Sequence, residues 1–153
     1  MLISKTSQYA IQAMIYLATR EPEIKVTAHD IAEQLDMPTT YLSKIMQLLS
    51  KHTLVRSTRG PTGGFSLGRA AGNINLMQIL MVTEGMNFTK ECLLGLKECD
   101  QASKCPVHDQ WQPVKLKITR LLKHQTLHAL SNDVKTGKYR INEIPYLAQE
   151  ILI

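Results

Sequence analysis

The chain has 153 residues, a 44% apolar share, a formal charge of +5 and three cysteines, which suits one compact domain with its own core. No apolar run approaches the length needed to cross a bilayer, and the opening MLISKTSQYA lacks the basic start and apolar stretch of a secretory signal. A cytoplasmic protein with no membrane partner is expected, and the scarcity of aromatics beside many Leu, Ile and Met favours helices over a large sheet.

In chain order, residues 4–18 read as a helix, with Ala10, Ala13, Met14 and Leu17 at spacings of three and four, Ser4 as cap and Pro22 beyond its end. Thr27 followed by Asp30 marks a second start, and Ile31, Ala32 and Leu35 form the buried side of that helix. Asp36 and Met37 turn the chain, Pro38 opens a third helix running to about Lys51, and Leu42, Ile45, Met46 and Leu49 give it one apolar face. Ala32, Asp36, Leu42 and Ile45 have the spacing of a helix-turn-helix, with Asp36 at a turn position more often held by Gly. Leu54 to Ser57 and Gly64 to Leu67 then read as two short strands around Thr58-Arg59-Gly60-Pro61-Thr62-Gly63, which is a wing.

Charge agrees with this pattern. From Met37 to Thr83 there is no Asp or Glu, while Lys44, Lys51, Arg56, Arg59 and Arg69 are all basic. A field of one sign on one part of a small protein is the footprint of a polyanion-binding surface. The third helix is therefore expected in a major groove, with Thr39, Thr40, Tyr41, Ser43 and Lys44 toward bases or phosphates, and Arg59 with Gly60 at the wing tip in the adjacent minor groove.

A short helix follows over Asn75 to Thr83, with Leu76, Ile79 and Leu80 inward and Gly85 stopping it. Periodicity fades over 86–106, where Cys92, Cys99 and Cys105 lie within fourteen residues. An odd, clustered count in a reducing compartment points to metal binding or redox sensing rather than to internal disulfides, and a bound metal would order a segment too poor in apolar residues to order itself. From Val107 an apolar stripe returns as Trp111, Val114, Ile118, Leu121 and Leu122, predicting a long helix that packs against its twin in a homodimer. The expected organisation is a mainly α chain: a winged helix-turn-helix head over 1–84, a cysteine loop over 85–106, a dimerisation helix over 107–134 and a tail over 135–153.

Thr6-Ser7 with Tyr9-Ala10, Tyr41-Leu42, Leu54-Val55 through Arg59-Gly60-Pro61 and Gly63-Gly64, Leu67-Gly68, and Cys105-Pro106-Val107-His108 followed by Trp111 together resemble the bacterial winged-helix iron-sulfur transcription regulators of the IscR and NsrR family. The resemblance covers nearly the whole chain. It implies a homodimer that binds an inverted-repeat operator in double-stranded DNA as a repressor, with cluster-assembly or transfer proteins as further partners. It also implies a cluster that reports cluster supply, iron, nitric oxide or redox state, held by Cys92, Cys99 and Cys105 with His108 as the fourth ligand. A [2Fe-2S] cluster is implied, with [4Fe-4S] as the alternative. Six residues separate Cys92 from Cys99 where the similar branch commonly has five, and Gln8 stands where nitric-oxide-sensing relatives place a carboxylate. Ser43 and Lys44 replace polar or acidic residues of IscR-like recognition helices.

Zinc on three cysteines and a histidine, metal-free redox thiols, and a metal-stapled protein-interaction module are the competing readings. An enzyme is disfavoured, because His29, His52, His108, His124 and His128 are joined to no evident nucleophile or phosphate-binding glycine motif.

Overall fold

The computed structural model describes residues 3–85, 88–97 and 101–141. Helix α1 (Lys5–Ala18) begins where the Ser4 hydroxyl accepts the Ser7 amide, and α2 (Ala28–Leu35) where Thr27 accepts that of Asp30, each cap satisfying one of the amides a helix start leaves open. Asp36 takes the left-handed turn between α2 and α3 (Thr39–Lys51) at φ 53°, a conformation Asp tolerates better than most side chains do. The expected apolar faces meet there: Ala10, Ala13, Met14, Ile31, Leu42, Met46 and Leu49 are all fully buried in one core.

The wing is the antiparallel pair β1 (Val55–Thr58) and β2 (Gly64–Leu67), in register Val55 with Leu67 through Thr58 with Gly64. The first strand starts one residue later than expected, because the Leu54 amide closes the end of α3 on the Leu49 carbonyl. The base of the wing is tied to the approach to α2 by paired bonds between Val26 and Phe65, at 2.9 and 2.7 Å. That approach dictates glycine at position 64: its φ is +152°, and a Cβ there would lie 2.9 Å from the Val26 backbone.

Helix α4 (Leu76–Thr83) carries a reciprocal capping box between Asn75 and Gln78. Ile79 and Leu80 are fully buried as expected, and Met77 joins them at 3% exposure while Leu76 is only half-buried.

The single helix expected over 107–134 is two. Helix α5 (His108–His124) ends at Gln125, whose carbonyl accepts the Leu76 amide, while the Leu127 amide donates to the Ile74 carbonyl. Thr126 caps a new helix, α6 (Leu127–Lys135), which turns back to pack on α1 and buries Leu127 and Val134 in the head core. The head is thus completed by a segment from beyond the cysteine loop and does not end at residue 84. Part of the expected tail also returns to it, Ile141 packing against the same core; residues 142–153 lie outside the described residues.

Candidate nucleic-acid interface and thiol site

On the face of α3 away from the core, Thr39, Thr40 and Lys44 are exposed and Ser43 is half-buried, while Arg59 and Gly60 are exposed at the wing tip. The five basic side chains of the acid-free stretch form no salt bridge among the described residues, so their field is not locally neutralised. A hairpin and a helix presenting unpaired cations beside short hydroxyl side chains suit a phosphate backbone with base edges within reach.

Tyr41 does different work from its neighbours. Its ring stands edge-on to Tyr9 of α1, with centroids 5.6 Å apart at 72°, and its hydroxyl hydrogen-bonds that of Thr6. Tyr41 therefore sets the angle between α1 and α3, and Lys5, over the Tyr9 ring at 5.1 Å, extends that joint.

A polar joint that sequence reasoning missed lies at the other end of α1. Glu84, the C-cap of α4, accepts from the Ser4 amide at 2.7 Å and from the Ser7 hydroxyl at 2.5 Å, and the Ser7 and Thr83 hydroxyls are 2.6 Å apart. Burial pushes the Glu84 carboxyl up, but the hydrogen bonds from Ser4 and Ser7 outweigh it, and the net shift is below the ordinary value. The start of the cysteine loop is thereby fixed to the start of α1. Ser4 was legible as a cap, but nothing local pairs it with a carboxylate eighty residues away.

In the loop, Cys92 and Cys105 are buried and their sulfurs are 3.7 Å apart, with no disulfide between them. Cys92 follows a short 3-10 turn (Phe88–Lys90), and its carbonyl accepts the Gly95 amide. Cys105 sits in the turn that opens α5, its carbonyl accepting the His108 amide at 3.0 Å; His108, the first residue of α5, is 1% exposed. Lys115 reaching the Glu91 carbonyl and the Lys104–Asp109 ion pair fasten the loop to α5. Cys99 lies outside the described residues, and among the described residues no three His, Cys, Asp or Glu side chains converge as a metal-binding group. Of the expected ligand set, the described residues show Cys92 and Cys105 in direct contact.

The apolar stripe of α5 is divided. Leu122 packs inward with Met77 and Leu80, and Ile118 lies against that cluster. Val114 and Leu121 are 45% and 55% exposed, and the Trp111 indole nitrogen is buried without a hydrogen-bond partner among the described residues.

Residues 3–133 match the family model Rrf2, described as an iron-dependent transcriptional regulator. The chain belongs to the Rrf2 family. It is similar to the HTH-type transcriptional regulator IscR of Pectobacterium carotovorum, 33% identical over 134 residues that span 87% of this chain and 80% of that one. The IscR of Cronobacter sakazakii is 30% identical across 99% of this chain and 96% of its own length. Among solved structures, T. potens IscR superposes with a TM-score of 0.72 at 29% identity over 90% of this chain and 91% of that one. CymR, the global cysteine regulator of B. subtilis, gives 0.73 at 25% identity over 85% and 95%. Rrf2 proteins are transcription regulators, not enzymes, and the winged helix, DNA-binding regulation and mainly α architecture of this chain follow from that membership. No helix among the described residues is long and apolar enough to cross a membrane.

Proposed function

We propose that this Rrf2 protein binds an inverted-repeat operator as a homodimer and that an iron-sulfur centre in the cysteine loop sets its DNA affinity. The observation that carries the reading is the buried thiol pair. Two sulfurs held about 2.3 Å from one tetrahedral metal ion lie about 3.8 Å apart, and Cys92 and Cys105 stand at 3.7 Å. The residues present therefore fit a soft metal centre. Cys92 and Cys105 would hold it, with Cys99 and His108 as further ligands, and a [2Fe-2S] cluster agrees best with a mixed thiolate and imidazole set.

When bound, such a cluster supplies an exchangeable oxidation state and a removable crosslink. The chain's own residues convert that into a DNA response. Glu84 fixes the head end of the loop to Ser4 and Ser7, and Cys105 with His108 forms the start of α5. Ordering the loop then sets where α5 leaves the head, and in a dimer built on α5 this sets the separation of the two α3 helices. A change of about 1.4 kcal/mol in that coupling alters operator affinity tenfold. Thr39, Thr40, Ser43 and Lys44 read or grip the major groove in this arrangement, Arg59 and Gly60 enter the minor groove, and Tyr41 holds α3 at its angle.

Anaerobic isolation, iron and sulfide counting and Mössbauer spectroscopy test the centre; operator titrations of oxidised, reduced and metal-free protein at one salt concentration test the coupling. Near-equal iron and sulfide with distinct operator affinities is the expected result. Absence of sulfide, or identical affinities in all three states, refutes it.

A further inference from the structure

We infer that Cys92 and Cys105 are a modification site in their own right: in the metal-free chain a hydroperoxide closes them into a reversible disulfide. This shares the loop with the proposed metal centre but stands on the thiol pair alone. The sulfurs are already in contact at 3.7 Å, against about 2.0 Å when bonded, so closure requires side-chain rotation and a small loop adjustment. Leu93, Leu94 and Leu96, which follow Cys92, are all more than half exposed, so their side chains add little core packing to oppose that adjustment. Cys92 also borders a cavity of about 480 Å³ lined by Trp111, Ile118, Leu121 and Leu122, wide enough to hold a small oxidant beside the sulfur.

The chemistry balances with hydrogen peroxide as oxidant. The Cys92 sulfur, as thiolate, attacks the O–O bond; an S–O bond forms, the O–O bond breaks and the departing oxygen leaves as water after taking a proton. The Cys105 thiolate then attacks the Cys92 sulfur, forming the S–S bond and expelling hydroxide, which takes the second proton. Two thiols have lost two electrons and two protons, and the peroxide has become two waters. A second thiol in contact with the first traps the sulfenic acid before it is oxidised further. Because metal ligation needs thiolates, the closed bond and a bound metal exclude one another, and a thiol reductant restores the site.

The test uses the full chain, stripped with a chelator under anaerobic conditions, treated with equimolar hydrogen peroxide, alkylated and digested without reductant. A linked peptide pair containing Cys92 and Cys105 is expected in the wild type and in Cys99→Ser, disappearing after dithiothreitol. Iron and sulfide uptake should be lost in the peroxide-treated protein and return on reduction. Alkylation of both Cys92 and Cys105 after peroxide, or a dominant bond to Cys99, overturns the inference. The two readings fail separately. Reduced protein that takes up no iron yet yields the linked peptide sinks the metal centre alone; reduced protein that loads iron but never yields the peptide sinks the disulfide alone.

Discussion

Leu121 and Leu122 are adjacent on α5 and face opposite obligations, and replacing each with alanine separates the dimer seam from the core. Leu122 is 8% exposed and packs with Met77 and Leu80, so Leu122→Ala removes side-chain atoms from a filled site and costs the protomer about 2 to 5 kcal/mol. Leu121 is 55% exposed, so within the protomer its truncation is nearly neutral. If a twofold partner covers it, burying the exposed half of a leucine contributes about 1 kcal/mol. The symmetry counts that contribution twice, so Leu121→Ala should weaken dimerisation by about 2 kcal/mol, roughly 30-fold in dissociation constant. Sedimentation equilibrium across protein concentrations reads the dimerisation effect of Leu121→Ala. Urea unfolding at one fixed protomer concentration reads the core effect of Leu122→Ala, a necessary control because dimer dissociation also lowers apparent stability. An unchanged dimer constant for Leu121→Ala would remove the exposed side of α5 from the interface. A loss of stability in that variant equal to that of Leu122→Ala would mean that Leu121 belongs to the core.

At the DNA surface, Arg59→Ala and Lys44→Ala should each weaken operator binding, and fluorescence anisotropy over a salt series separates their roles. A phosphate contact lowers the slope of log affinity against log salt by about 1 and acts on all sequences alike, whereas a base contact relaxes preference at one position at a cost of about 1 to 3 kcal/mol; wild-type binding by both variants would displace the interface from α3 and the wing. The Glu84 joint gives a pH signature. Its carboxyl is held below the ordinary value of 4.5, so its stabilisation is complete above that value and is lost as pH falls through the folded-state pKa. The stability advantage of wild type over Glu84→Gln in urea unfolding should therefore be flat near neutral pH and shrink as pH falls below 4.5; an advantage that persists undiminished in acid contradicts the charged joint.

The parts of this molecule that were legible in its sequence are those set by local rules, and the parts that were not depend on distant partners. The apolar spacings of α1, α2 and α3 and the glycine-rich turn each express a period or a backbone need within a few residues, and they appear in the structure with boundaries shifted by a residue at most. Tyr41 was grouped with the exposed side of α3 because the helical period cannot show that Tyr9 and Thr6 wait on another helix. The thiol pair joins sulfurs thirteen positions apart in the chain, a contact that composition alone does not reveal. The break at Gln125 is the most consequential case. Leu127, Leu130 and Val134 continue the helical spacing of α5, and Thr126 is the only local sign of a new start. What stops the helix is pairing with Ile74 and Leu76, fifty residues earlier. That stop limits the proposed seam to the 17 residues of α5, about 25 Å of helix, and places the last third of the expected dimer helix against the head core. In the proposed dimer, a signal passing from the cysteine loop to the second head would act through the tilt of α5 on Met77 and Leu80, not along a continuous rod. Leu122 lies in that contact, so the protomer's stability and the proposed coupling would both rest on it.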